Sequence, residues 1–72
     1  MVLESVNSSN IEAAGYDPAN NKMIVKFKSG VFYEYLKVPE LVYEHFKKAD
    51  SKGIFFSQNI RNGYVCNKID AS

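Results

Sequence analysis

Alternating hydrophobic and polar positions between residues 22 and 36 form the clearest pattern in the chain. Met23, Val25 and Phe27 alternate with a second series that includes Lys26 and Lys28. This period of two places the two series on opposite faces of a strand. After a Ser-Gly pair the chain resumes with six residues, most of which favour strands. The pattern therefore predicts a β-hairpin with one hydrophobic face and one lysine-bearing face.

The length of the hairpin loop decides which face carries the tyrosines. A three-residue loop that ends at Gly30, in the left-handed conformation, pairs Val25 with Tyr33. It also keeps Glu34 out of the core, where an unpaired charge is costly. A two-residue loop would turn Tyr33 and Tyr35 outward, because a slip of one residue moves every side chain to the other face. We favour the three-residue loop, in which both tyrosines face inward.

A shorter pattern before the hairpin predicts a first strand at residues 11–16. In this strand Ile11, Ala13 and Gly15 should share one face. Residues 17–21 begin with Asp-Pro and end with Asn-Asn, a composition typical of a turn. Because short turns join the three predicted strands, an antiparallel meander is the expected order.

Two helical patterns follow the hairpin. Pro39 suits the first position of a helix, and Val42 and Phe46 fall four residues apart on its hydrophobic face. Ser51 is a suitable N-cap for a second helix. Gly63 is expected to end that helix in the left-handed conformation.

These elements predict an α+β fold in which two short helices cover one face of a three-stranded antiparallel meander, in the order βββαα. The single domain should span residues 8–65. We expect residues 1–7 and 66–72 to be flexible termini. The first and third strands would then be the open edges of the sheet, where a partner strand could add.

Composition limits the classes of protein. The chain has 72 residues, enough for one domain, and a net charge of +1, which gives no overall attraction to nucleic acid or membranes. Cys66 is its sole cysteine, so no internal disulfide can form and a reducing compartment such as the cytoplasm is expected. The first residues lack the pattern of a signal peptide, and no apolar run is long enough to span a bilayer. We expect a cytoplasmic monomer without a membrane partner.

The sequence offers little for catalysis or metal binding. His45 and Cys66 are single residues of their types, too few for a typical zinc site. A Cys–His nucleophile would need the two to be close and oriented by a third group. The four glycines are scattered and form no phosphate loop. We therefore predict neither an enzyme nor a cofactor.

Two groups of residues are candidates for binding nucleic acid. Lys22, Lys26 and Lys28 form a basic strip along the second strand, which is either a solvated face or a track for phosphates. Tyr33 and Tyr35 could stack on bases, as in binders of single strands. The alternative is that both tyrosines are core residues with hydroxyl groups at the rim.

Arg61 is the sixth candidate, and it lies in a polar region that also contains Ser51, Gly53, Ser57 and Asn59. Its guanidinium could hold a phosphate or a carboxylate. We favour a structural role, in which it bonds the carbonyl groups at the end of the second helix or the acidic rim of the first.

Many short segments of the chain resemble the KTSC domain, a small module found at the C-terminus of some lysyl-tRNA synthetases and alone in bacteria and phages. The central segments are Tyr33-Glu34-Tyr35, Val38-Pro39 and Ser51-Lys52-Gly53. The other segments are Ser8-Ser9-Asn10-Ile11, Gly15-Tyr16-Asp17, Phe27 to Gly30, Val42-Tyr43, Ala49-Asp50, Phe55-Phe56 and Asn59-Ile60-Arg61 through Tyr64. The resemblance runs from Ser8 to Tyr64. The chain departs from the family pattern at Lys37, where glycine is expected, and at Ser57, where asparagine is expected.

The resemblance implies a non-catalytic binding module. Its occurrence in a synthetase suggests an association with RNA, by analogy of context. The alternative is a protein–protein interaction module.

Overall fold

The computed structural model describes residues 3–69, which form an α+β domain. Its strands are β1 (Glu4–Ser5), β2 (Ile11–Asp17), β3 (Lys22–Phe27), β4 (Phe32–Tyr35) and β5 (Cys66–Ile69). Its helices are α1 (Glu40–Lys48) and α2 (Lys52–Phe55), and α2 continues into a π-helical segment at Phe56–Ile60. Of the helices in this range, none is long and apolar enough to cross a bilayer.

The five strands form one antiparallel sheet in the order β1-β2-β3-β4-β5. The α+β class and the antiparallel meander are confirmed, but the prediction of three strands is wrong. β1 and β5 lie within segments that we predicted to be flexible, and they cover the two edges that we predicted to be open. Residues 1–2 and 70–72, also predicted to be flexible, lie outside the described residues.

The hairpin of β3 and β4 has the predicted register. Met23 pairs with Tyr35 and Val25 pairs with Tyr33. Its loop is closed by the Gly30 amide, which donates to the Phe27 carbonyl at 2.9 Å. Gly30 has a φ of 94°, a positive value that residues with a side chain rarely adopt. The three-residue loop thus directs both tyrosines to the helix-covered face.

A β-bulge in β2 changes the face predicted for the first strand. Ile11 pairs with Phe27 but Ala13 pairs with Lys26, so one extra residue lies between them. Because a bulge shifts the alternation by one position, Ile11 lies on the same face as Ala14. Both are buried. The prediction that Ile11 shares a face with Ala13 is wrong for this reason.

The second helical region begins as predicted and ends differently. The Ser51 hydroxyl accepts a hydrogen bond from the Ile54 amide at 3.4 Å, which confirms the N-cap. The Arg61 amide donates to the Phe56 carbonyl five residues earlier, at 2.9 Å, as in a π-helix. Gly63 is not left-handed: among residues 3–69, Gly30 is the one glycine with positive φ. Its small size matters instead, because a Cβ there would lie 2.9 Å from the Asn59 carbonyl oxygen.

Both helical regions pack on one face of the sheet, as predicted. The buried core combines residues from β2, β3 and β4 with residues from the helices and the segment before α1. Its members are Ile11, Ala14, Met23, Val25, Tyr35, Val38, Tyr43, Phe46, Phe56 and Ile60. The core fills the centre of this face, and the space beside it is left open near the hairpin loop.

Candidate functional site

The main cavity of the domain, of about 680 Å³, lies between the hairpin loop and the second helical region. Its apolar and aromatic lining comes mainly from the helix-covered face of the sheet. That lining consists of Ile11, Phe27, Val31, Tyr33, Tyr35 and Phe56. The polar and small residues come from the loops and the second helical region: Ser9, Asn10, Lys28, Ser29, Gly53, Ser57, Arg61, Asn62 and Cys66. The cavity thus combines an aromatic wall with a polar rim.

The aromatic wall follows from the register of the hairpin. Phe27 and Tyr33 meet edge to face, with ring centroids 5.7 Å apart and planes at 82°. Phe27 also meets Phe56 at 5.7 Å, and Tyr35 meets Phe56 at 5.3 Å. Tyr35 is only 3% exposed, whereas Tyr33 is partly buried and packs at the margin of the core. Tyr33 is therefore the tyrosine whose ring a ligand could contact, because the Tyr35 ring is almost fully buried.

Burial, and to a lesser extent charge interactions with Cys66 and Tyr33, raise the pKa of Tyr35 to about 12. Arg61 acts in the opposite direction. The phenol is therefore neutral at physiological pH and can both donate and accept a hydrogen bond. It is the member of the cavity wall that combines deep burial with a polar group.

The loop before β2 contributes Ser9 and Asn10 to the lining of the main cavity. The Ser8 hydroxyl accepts hydrogen bonds from the amides of Asn10, at 3.3 Å, and Ile11, at 3.4 Å. The Lys28 amide donates to the Asn10 carbonyl at 2.9 Å. These contacts tie the loop to the hairpin and hold Ser9 and Asn10 at the cavity.

Arg61 does not have the structural role that we predicted. Within residues 3–69 its guanidinium makes no hydrogen bond and no ion pair. The side chain is exposed at the rim of the main cavity. The π-helical segment positions this residue, and wide turns of this kind are frequent at functional sites. A carbonyl group of this region is bonded by a different side chain: Asn59 Nδ2 donates to the Phe55 carbonyl at 3.1 Å.

The basic strip divides between the two faces of the sheet. Lys28 lies at the main cavity, together with Tyr33, Tyr35 and Arg61. Lys22 and Lys26 lie on the opposite face. The prediction of one continuous strip is wrong, because the loop carries Lys28 away from the strand that holds the other two.

Lys22 and Lys26 form ion pairs on the open face of the sheet. Lys22 Nζ lies 3.2 Å from Glu34 Oε1, and Lys26 Nζ lies 2.7 Å from Glu12 Oε2. Lys26 also covers the Phe32 ring, 5.5 Å from its centroid. The neighbouring carboxylates leave this face close to neutral, which is unfavourable for a phosphate.

The main cavity, unlike the open face of the sheet, carries positive charge. Lys28 and Arg61 line it, and none of its lining residues is acidic. Lys68 pairs with Tyr33 in the sheet and therefore lies on the same face as this ring. An anionic group would thus meet positive charge and polar donors at the rim, and an aromatic or apolar group would fit the wall.

A second cavity, of about 650 Å³, adjoins the main one. Ser9, Asn10, Gly53 and Ser57 line both cavities. The rest of the second cavity is formed by Asn7, Ser8, Asp50, Ser51, Ile54 and Gln58. Its lining is rich in hydroxyl and amide groups and contains no aromatic residue and no cation.

Metal-ligating residues do not cluster in the part of the chain that the structure describes. No group of three or more His, Cys, Asp or Glu residues there could hold a metal ion. Cys66 is exposed at the start of β5, and His45 is exposed on α1.

Sequence reasoning missed several residues of the main cavity. Ser9 and Asn10 belonged to a segment that resembles the family but were not named as site residues, and Phe27 was assigned to the core. Cys66 was placed in a flexible tail. The Ser-Ser-Asn run before the first strand was the one available signal, since such residues are typical of loops that bind through hydroxyl and amide groups.

The fold is that of a small α+β domain with a cavity that has an aromatic wall and two cations at its rim. The chain belongs to the KTSC domain family, whose model matches residues 7–64. It is similar to a crystal structure of a KTSC domain protein from Yersinia pestis, with a TM-score of 0.92 and 39% identity. The match covers 96% of this chain and 97% of that one.

Two relatives place the family in different contexts. A protein of Tsukamurella paurometabola is 43% identical over 53 residues, which cover 74% of this chain and 79% of that protein. A lysine–tRNA ligase of Nostoc is 39% identical over 54 residues, which cover 75% of this chain but 10% of the ligase. The domain thus matches both a small protein and a minor part of a large enzyme.

Proposed function

We propose that this domain is a non-catalytic module that binds single-stranded RNA by holding one nucleotide in the main cavity. The observation that carries the proposal is the lining of this cavity: two cations and an aromatic wall without an acidic residue. A nucleotide has the matching parts, an anionic phosphate and a flat aromatic base.

Each part of a nucleotide has a counterpart in the main cavity. The phosphate would lie at the rim between Lys28 and Arg61, whose planar guanidinium can bond two phosphate oxygens at once. The base would stack on Tyr33, the aromatic ring at the margin of the core. Unpaired bases of single strands are commonly held in this way on aromatic side chains.

The relation to a synthetase supports RNA as the ligand. The similar segment of the Nostoc protein belongs to a lysine–tRNA ligase, an enzyme that acts on RNA. A role close to RNA would place the domain in the cytoplasm.

Titration of a labelled single-stranded oligoribonucleotide at low salt tests the proposal. Lys28→Ala and Arg61→Ala should each weaken binding, and Tyr33→Ala should cost about 1–3 kcal/mol, the value of one stacked base. Lys26→Ala is the matched control, because Lys26 lies on the opposite face and should leave the affinity unchanged. Equal losses for Lys26→Ala and Lys28→Ala would show that binding depends on overall charge and not on the cavity.

A protein-interaction module remains the alternative prediction, and the same preparation tests it. The two strand edges that motivated it, those of β2 and β4, are paired with β1 and β5. Absence of oligoribonucleotide binding at high micromolar protein would contradict the RNA proposal. Recovery of a specific protein after nuclease treatment, lost in Lys28→Ala but not in Lys26→Ala, would then assign the cavity to a protein ligand.

A further inference from the structure

The two adjoining cavities share one edge and differ in chemical character. Ser9, Asn10, Gly53 and Ser57 line both, so these residues form the shared edge. Gly53 lies on this edge, and its lack of a side chain leaves room for the Ser8 hydroxyl oxygen, which is 2.9 Å from where a Cβ would stand. A ligand longer than one nucleotide could cross this edge from the main cavity into the second.

The charge of the second cavity determines which part of such a ligand it can take. Asp50 is the charged residue that lines it, and Lys28 and Arg61 lie in the main cavity. A phosphate beside Asp50 would meet a like charge and is disfavoured. Hydroxyl groups that donate hydrogen bonds are favoured, because an ionised carboxylate only accepts them.

Resting on the proposed RNA-binding function, we infer that the second cavity holds the ribose of the adjacent nucleotide, with the Asp50 carboxylate as acceptor for its 2′-hydroxyl. Carboxylates hold ribose hydroxyls in this way in nucleotide-binding folds. Gln58 and the serine hydroxyls of the cavity complete a polar lining suited to a sugar. The 2′-hydroxyl is the group that distinguishes RNA from DNA, so this contact makes the domain selective for RNA.

The test measures binding of a nucleoside monophosphate, a dinucleotide and dinucleotides with one deoxyribose at either position. The monophosphate should occupy the main cavity, and the dinucleotide should bind more tightly because it reaches the second. Deoxyribose in the unit beyond the main cavity should weaken binding about tenfold, the scale of one hydrogen bond to a charged group. Deoxyribose at the other unit should have little effect.

Asp50→Ala should remove this selectivity and leave binding of the monophosphate unchanged. Asp50 is exposed, so the fold should persist, which a thermal melt checks. Gln58→Ala provides a second variant of the same cavity. Glu44→Ala is the matched control, an acidic residue of α1 whose surface partner is Lys47, and it should keep the full preference for ribose.

The outcomes separate the inference from the proposed function. Equal affinity of the monophosphate and the dinucleotide, or an undiminished ribose preference in Asp50→Ala, overturns the inference and leaves the main cavity as a nucleotide site. Binding of neither ligand overturns the proposed function and the inference together. Tighter binding of the dinucleotide with selectivity that depends on Asp50 establishes both cavities as one RNA site.

Discussion

At the scale of single residues, Lys37 carries the clearest backbone strain in the described chain. Its φ of 57° lies in the left-handed region, which costs a residue with a Cβ about 1–2 kcal/mol. The resemblance to the family pattern leads us to expect glycine at this position. The strain therefore comes from the Cβ that lysine brings to a left-handed backbone.

Lys37→Gly should raise the free energy of unfolding by about 0.5–1 kcal/mol, because relief of strain outweighs the added freedom of the unfolded chain. Urea denaturation measures the change. Lys37→Ala removes the same charge but keeps the Cβ, so it should give no comparable gain. An equal gain in both variants would assign the effect to the charge instead.

Tyr35 should make the folded state less stable at alkaline pH. Its folded pKa of about 12 lies above the usual 10.0, so the folded state favours the protonated phenol. The resulting stabilisation is complete below pH 10 and is lost as the pH rises towards 12. Between pH 9 and pH 11 the urea midpoint should therefore decrease more in the natural protein than in Tyr35→Phe. Parallel losses in both proteins would show that another group governs the alkaline response.

At the scale of elements, the second helical region depends on the size of Gly63. Gly63→Ala would place a Cβ 2.9 Å from the Asn59 backbone oxygen, and the backbone must shift to accept it. We expect a loss of about 1–3 kcal/mol, typical of overpacking.

Gly53→Ala is the comparison variant for Gly63→Ala. Its Cβ would meet the Ser8 hydroxyl at the same distance, but a side chain can rotate away. Chemical denaturation should therefore rank Gly63→Ala as the more damaging of the two. The reverse order would mean that the contact of Ser8 with the second helical region matters more than the turn after it.

Elements with a strong local sequence pattern could be predicted. Elements whose structure depends on pairing with other strands could not. The hairpin followed from strict alternation and from Gly30, and Ser51 correctly marked the start of α2. The bulge in β2 left no local mark, because one extra residue changes the face only through pairing with β3. The strands at Glu4–Ser5 and Cys66–Ile69 are short and mostly exposed. Their strand structure therefore depends on pairing with the sheet edges that they join.

Four of the six candidate residues line the main cavity, but their arrangement was not predicted. Lys28, Tyr33, Tyr35 and Arg61 were all candidates, yet nothing in the sequence separated Lys28 from Lys22 and Lys26. That separation depends on the loop geometry and on the carboxylates of Glu12 and Glu34, which arrive from other strands. Ser9 and Asn10 reach the cavity through hydrogen bonds to distant segments, which a single sequence does not reveal.

At the scale of the whole molecule, the pairing of charges predicts a weak dependence on salt. Lys22 and Lys26 are paired with acids, so Lys28 and Arg61 should be the cations that contact the phosphate of the proposed RNA ligand. One neutralised phosphate predicts a slope of log affinity against log salt of about −0.7 for a single strand. A slope near double that value in titrations at several salt concentrations would mean that the opposite face also binds.

The sequential order of the sheet bears on how the domain folds. Every strand pairs with its predecessor in the chain, and contacts between neighbours in sequence favour rapid folding. The main cavity is different, since Ser9 and Cys66 come from opposite ends of the described chain. Ligand capture should therefore be the last event of refolding. Stopped-flow recordings should show tyrosine burial before a labelled ligand binds, and binding in step with the earliest burial would contradict this order.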